Sequence, residues 1–371
     1  MRVVICGGGV IGASLAYFLT LKQAEVVVVE RSGVACAASG KSGGFLALDW
    51  CDGTPLARLA RRSFQLHAEL AGEHPGAWGY RRLETLSVAA SARRRLGGSP
   101  GADRPAWLAP EARVHQRLGT PATTAQVSPA GFTRGMMDAA IARGAELRIG
   151  TVTGLARSAD RRRVTGVQVD DEVIPGDAVV IAMGPWSVLA AQWLPLPMIY
   201  GLKGHSVVFR NGAGITPHAL FVECEAADGA VDTPEVFPRP DGTTYICGLS
   251  SEEPLPLDPA GVGTDAEATA RLQAMTRTFA PALADAEVLA TQACYRPVAR
   301  DGLPLIGEVG GLEGAYVATG HSVWGMLNAP ATGEALAELI VEGASRTVDL
   351  APYDPARLPP LPPEAVALSA R

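Results

Sequence analysis

The chain begins with a short apolar run, Arg2-Val3-Val4-Ile5-Cys6, of the kind that fills the middle of a parallel sheet. Glycines follow, and then Leu15, Phe18 and Leu19 recur at helical spacing, predicting a helix from about Ile11 to Lys22. A second β-branched run, Val26 to Val29, closes on Glu30, completing a βαβ unit. The alternation returns with a predicted helix from Phe132 to Ala142 that stops at Gly144, and a strand from Glu146 to Ile149. Val164 to Val169 and Glu172 to Ile174 bracket the turn Asp170-Asp171 as a hairpin, and Ala178 to Ala182 reads as another buried strand. The middle changes period: His205 to Arg210, Ala219 to Cys224, Glu235 to Phe237 and Thr243 to Cys247 are short strands, with Pro240-Asp241-Gly242 as a turn. Thr264 and Glu267 stand at capping-box spacing before a helix predicted to reach Phe279 and to be stopped by Pro281. The proline-rich tail from residue 351 is expected to lie extended along the surface.

Within the first unit, Gly7-x-Gly9-x-x-Gly12 sits between strand and helix, and Ala16 lies one turn further on. Gly7 suits the tight turn, Gly9 lets a pyrophosphate approach the backbone, and Gly12 lets strand and helix pack closely. Val10 and Ile11 open the helix, whose positive end faces the phosphates. Glu30, with Arg31 beside it, can accept hydrogen bonds from ribose hydroxyls and disfavours a 2′-phosphate. The motif does not separate NAD from FAD. The next segment does so better: Ala38, Ser39, Gly40, Lys41, Ser42, Gly43 and Gly44 form a loop of small and hydroxyl-bearing residues that a flavin enzyme can wrap around a pyrophosphate and run beneath an isoalloxazine ring.

Charge and cysteine usage narrow the class. A net charge of −6 gives no electrostatic reason to bind nucleic acid or an anionic membrane, and the arginine triplets at 93–95 and 161–163 read as solvated turns. The 6 cysteines are scattered without a Cys-x-x-Cys pair, so neither a metal site nor a disulfide framework is expected, and a reducing, cytoplasmic setting fits. No apolar run is long enough to predict a membrane span, and the opening strand leaves no room for a signal peptide.

Near the end stand Cys294-Tyr295-Arg296-Pro297-Val298-Ala299-Arg300-Asp301-Gly302-Leu303-Pro304-Leu305-Ile306-Gly307 and then Gly320-His321-Ser322-Val323-Trp324-Gly325-Met326. Together with the glycine fingerprint, the Ala-Ser-Gly loop, Thr151-Val152, Ala182-Met183-Gly184-Pro185-Trp186-Ser187 and Pro238-Arg239-Pro240-Asp241-Gly242, these segments resemble, in the same order, the D-amino-acid-oxidase, glycine-oxidase and sarcosine-oxidase family of flavoproteins. The stretch Gly43 to Gly53 is similar to a poorly characterised eukaryotic branch whose members carry only a general oxidoreductase label.

The resemblance implies an α/β fold (α+β overall): a Rossmann-like FAD-binding domain with an interleaved antiparallel substrate sheet. The expected division is 1–80, 128–200 and 292–350 for FAD, 81–127 and 201–291 for substrate, and 351–371 as tail. It also implies FAD as cofactor, and oxidation of the carbon–nitrogen bond of an amine or amino acid by hydride transfer to flavin N5, with oxygen or another acceptor taking the electrons. Arg296 matches the arginine that pairs a substrate carboxylate; its alternative is to hold a turn. Cys294 either tethers the flavin, as a cysteine at this spacing does in monomeric sarcosine oxidases, or is a small buried apolar residue. His321, Trp324, Val323, Gly325 and Met326 are expected at the flavin, and Val152, Ala182, Gly184 and Trp186 along it. Relatives often carry a cation after the Gly-His pair; Ser322, Val323 and Trp324 supply none, which leaves Lys41 or His205 to compensate, or a non-oxygen acceptor. His205 is either a site residue or a solvent-facing strand start, Trp50 and Tyr245 are candidates for a substrate wall, and the acidic cluster Glu223, Glu225, Asp228, Asp232 could favour a cationic substrate. A dehydrogenase with another acceptor, or a flavin-binding assembly factor with lapsed catalysis, are the competing readings.

Overall fold

The computed structural model describes residues 1–366 except 75, 99–100, 102–103 and 213. A 6-stranded sheet carries the predicted βαβ unit at its centre: Arg2–Cys6 pairs in parallel with Glu25–Glu30 on one side and Ala178–Ile181 on the other, and Glu146–Ile149 and Ala315–Thr319 extend it outward. Its central strands are apolar through their middles because both faces are covered. Val3, Ile5, Val26 and Val28 point into a core shared with the helices Val10–Leu21, Ala57–Glu73, Pro129–Ala142 and Gly325–Glu342. Val4, Cys6, Val27 and Val29 point the other way, onto the three-stranded meander Val152–Pro175 and the turn Gly184–Gln192.

Why the helix Val10–Leu21 can start so close to its strand is visible at Gly12, where a Cβ would stand 2.0 Å from the Gly7 carbonyl oxygen. Gly7 itself has φ +117°, and a Cβ there would meet the Ala182 carbonyl at 2.4 Å.

The second sheet has 8 strands and is antiparallel save for one pair, His218–Glu225 beside Glu84–Ser91. Helix Ala266–Phe279 covers its outer face through Leu272, Met275 and Phe279. The inner face, with Val208, Phe237, Tyr245 and Cys247, turns toward the nucleotide-binding part. The boundary expected at residue 292 falls inside the strand Val288–Ala299, which belongs wholly to this second sheet.

Three local expectations are corrected. Helix Ala266–Phe279 is capped by Asp265, whose carboxylate accepts from the Glu267 and Ala268 N–H groups, rather than by Thr264. The segment Ala37–Gly44 contains a helical turn, Ala38–Lys41, where a plain loop was expected. Over its described residues, 351–366, the tail is a chain of short 3-10 turns strapped to the body: Tyr353 is buried, and Leu361 N–H donates to the Leu196 carbonyl at 2.8 Å. No helix among the described residues is long and apolar enough to cross a membrane.

Candidate active site

A long cavity, about 2100 Å³ of empty space with its open mouth included, runs from the first glycine turn to the inner face of the large sheet. At its deep end Gly7, Gly9, Val10 and Ile11 form the wall, and the positive end of helix Val10–Leu21 opens into it. Val10 N–H donates to Ser39 Oγ at 2.9 Å, which ties the helical turn Ala38–Lys41 to this end. Glu30 closes the far side. Its carboxylate accepts from the Gly8 N–H at 2.6 Å and the Ser32 N–H at 2.9 Å, so it fixes the glycine turn while still lining the cavity. Arg31, Val152, Ala182, Gly184 and Trp186 continue the wall, with Trp186 anchored by its indole N–H to the Pro256 carbonyl.

The middle of the cavity is framed by Ser42, Gly43 and Gly44 on one side and by His321, Val323, Trp324, Gly325 and Met326 on the other. The large sheet clamps the first of these segments. Tyr245 donates its hydroxyl to the Lys41 carbonyl, and Arg239 donates to the Ser42 carbonyl, both at 2.9 Å, with the guanidinium over the Tyr245 ring. His321 is buried, its Nε2 lies 3.0 Å from Thr332 Oγ1, and burial holds its ring near a pKa of about 3 and therefore neutral.

The sheet end is lined by His205, Phe221, Glu235, Phe237, Tyr245, Cys247, Cys294 and Arg296, with Phe45 and Trp50 packed against Phe221 and Phe237. Arg296 donates from Nη1 to Ser250 Oγ at 2.8 Å, and its guanidinium lies against the bare face of Gly204 on the neighbouring strand. His205 is not a solvent-facing strand start: it is buried within the strand Ile199–Arg210, with Nδ1 at 3.1 Å from the Leu249 carbonyl. Burial pushes the Cys294 thiol up, against the pull of Arg296 and Lys41.

Four expected residues stand outside the cavity wall. Gly12 and Gly320 serve chain packing, and a Cβ on Gly40 would press within 2.0 Å of the Ala35 carbonyl oxygen. Lys41 turns its ammonium to the Ala293 carbonyl at 3.5 Å. Three of the four acidic residues of the cluster are paired at the surface, Glu225 with Arg93 and Arg94, Asp228 and Asp232 with Arg271. Sequence reasoning passed over Glu235, Phe221, Phe237 and Cys247, and the only signal for them was the strand alternation that puts them on one face.

A bare glycine turn, a helix end aimed at phosphates, an acidic strand end and a long cavity reaching a second sheet define an oxidoreductase that binds an extended dinucleotide and offers it to a separate substrate wall. The chain belongs to the FAD dependent oxidoreductase family (DAO), whose family model matches residues 2–339. A Schizosaccharomyces pombe protein that carries only a provisional oxidoreductase label is 30% identical, covering 95% of this chain and 97% of its own. The glycine oxidase of Pseudomonas putida is 28% identical over 95% of this chain and 98% of its own. The crystal structure of glycine oxidase from Geobacillus kaustophilus shares the fold, with a TM-score of 0.82 and 24% identity over 96% of this chain and 99% of that one. The cofactor is FAD, and the site fits it: the bare Gly7–Gly9 turn leaves the space a pyrophosphate takes, and Ser42 Oγ, His205 Nε2 and His321 Nδ1, buried and without a hydrogen-bond partner among the described residues, belong to residues of the cavity wall.

Proposed function

We propose that this chain oxidises the carbon–nitrogen bond of an amino acid or an amino-acid-like amine, and that Arg296 grips the substrate carboxylate. The observation that carries this reading is the position of Arg296. Among the described residues lining the sheet end of the cavity it is the permanent cation, and its bond to Ser250 uses one of its five N–H donors. A planar fork held against Gly204 can take a carboxylate in two parallel hydrogen bonds, which fixes the position of the neighbouring carbon in the cavity. Bound FAD supplies a hydride acceptor for the hydrogen leaving that carbon. The protein's part is orientation and water exclusion: Arg296 anchors one end of the substrate, the aromatic wall keeps the reacting carbon dry, and neutral His321 adds no charge beside it. The product imine is hydrolysed by water.

Arg296→Lys is expected to raise KM for an amino-acid substrate about tenfold or more while FAD stays bound, because an ammonium cannot reproduce the fork. Unchanged kinetics would overturn the assignment. An acceptor other than oxygen is the second reading: Ser322, Val323 and Trp324 carry no cation and Lys41 faces the Ala293 carbonyl instead of the cavity, which leaves His205 as the one compensating candidate in the cavity wall. Turnover of an amine with an artificial dye but not with oxygen supports that acceptor, and comparable oxygen uptake removes it.

A further inference from the structure

Glu235 is a carboxylate set in the substrate end of the cavity that the chemistry above leaves unused. It lies on the strand Glu235–Pro238, paired across to Phe221 on one side and to Cys247 on the other, and both neighbours line the cavity with it. Among the described residues its side chain has one hydrogen-bond partner, the Cys247 thiol, which donates to Oε2 at 3.6 Å. Among the described residues Arg296 is the cation that acts on its charge. Burial pushes its carboxyl above the ordinary range, against the pull of Arg296 and the thiol. A carboxylate so weakly partnered in an apolar wall is costly to keep, unless a cation enters to meet it.

The surroundings say what kind of cation. Trp50 packs at 5.0 Å from Phe45 and 4.8 Å from Phe221, and Phe45 stacks on Phe237 at 5.5 Å, so these rings form a continuous aromatic surface along the wall that holds Glu235. Such a surface takes an apolar group or the face of an alkylated ammonium. Arg296 reaches the same space from the strand Val288–Ala299, with two strands of the sheet between it and the strand of Glu235.

We propose that Glu235 receives the ammonium group of the substrate, so that the site selects a zwitterion, carboxylate on Arg296 and ammonium on Glu235, whose apolar substituent lies on the Phe45–Trp50–Phe221–Phe237 wall. This rests on the carboxylate role of Arg296. A plain carboxylate meets repulsion from Glu235, and glycine leaves the aromatic wall uncovered.

The test uses FAD-loaded enzyme and two probes that cannot be turned over: α-methylphenylalanine, a zwitterion with no hydrogen on its α-carbon, and 3-phenylpropanoate, which keeps the carboxylate and the ring but lacks the amine. Binding is read from the change each causes in the flavin absorption spectrum. The wild type is expected to prefer the zwitterion. Glu235→Gln should weaken α-methylphenylalanine roughly 10- to 100-fold while 3-phenylpropanoate binds as well or more tightly, reversing the preference. Glu235→Asp, which keeps the charge, should retain the original preference and shows that the wall still folds. Equal loss of both probes in Glu235→Gln, or no loss of either, overturns the proposal. Arg296→Gln reports on the reading beneath it: undiminished 3-phenylpropanoate binding there refutes the carboxylate role of Arg296, while the Glu235→Gln result still judges the ammonium role.

Discussion

His321 shows how burial sets the behaviour of a single residue. Its Nε2 meets Thr332, its Nδ1 has no partner among the described residues, and burial lowers its pKa from 6.5 to about 3. His67 is lowered in the same way to about 4. Both folded values lie below the unfolded one, so between pH 6.5 and the folded values the unfolded chain binds protons that the folded chain does not. Their contribution is therefore complete above about pH 6.5 and is lost as pH falls, at up to about 1.4 kcal/mol per pH unit for each histidine. Denaturant unfolding in excess FAD at pH 7, 6 and 5 should show that decline, and His321→Gln should make it shallower; identical slopes would refute the assignment. Residues of this kind were legible only in part. His321, Arg296, Gly7, Gly9, Ser39 and Trp324 could be read because each belongs to a local motif whose own backbone or turn reaches the cavity. Glu235 could not. Its strand is readable, but an alternating pattern offers two faces and does not say which one meets the cavity until Phe221 and Cys247 are seen across from it. The acidic cluster at 223–232 was a candidate for favouring a cationic substrate, and three of its members, Glu225, Asp228 and Asp232, are paired with surface arginines.

At the scale of elements, the helix Gly325–Glu342 is the least expected part of the nucleotide-binding core, because Pro330 stands inside it. Proline has no N–H to give the carbonyl four residues earlier, which is that of Met326. The helix Ala57–Glu73 repairs the gap. His67 Nε2 lies 3.0 Å from the Met326 carbonyl and 3.2 Å from that of Leu327, and Ser63, one turn away, accepts from the Ala331 N–H at 3.1 Å. The repair needs residues more than 250 positions away in the chain, so no local pattern announces it. His67→Leu should cost about 1–3 kcal/mol, the penalty for stranding a buried carbonyl. Adding Pro330→Ala restores the missing donor and should recover part of that loss, so the two changes are non-additive in a double-mutant cycle read by denaturant unfolding. Strict additivity would show that His67 acts by packing alone. The central strands of the parallel sheet were readable for the opposite reason: Arg2–Cys6, Glu25–Glu30 and Ala178–Ile181 are covered on both faces and carry apolar runs through their middles.

For the whole molecule, the decisive connection is the one between the substrate strand and the parallel sheet. The strand Val288–Ala299 carries Arg296, and the turn after it leads through Asp301 into the sheet edge at Leu305–Glu308. The tail holds that turn in place. Arg357 donates from Nε to Asp301 Oδ2 at 2.7 Å and from Nη2 to the Leu303 carbonyl at 2.8 Å, and its hydrogen bond is the main reason the Asp301 carboxyl is held below its usual range. Two rows of contact extend the strap, Tyr353 donating its hydroxyl to the Pro55 carbonyl and Leu361 bonding to Leu196. The ion pair is partly exposed, so its electrostatic share is about 1 kcal/mol or less, whereas burying Tyr353 contributes roughly 1.5–3 kcal/mol. Ending the chain at Leu350 should therefore lower Tm by several degrees, and Arg357→Ala by only a fraction of that. Because the strap fixes the turn beside Arg296, Arg357→Ala should also raise KM for an amino-acid substrate more than it lowers kcat. A Tm loss in Arg357→Ala equal to that of the truncation would instead make the ion pair, and not the buried tyrosine, the main anchor of the strap.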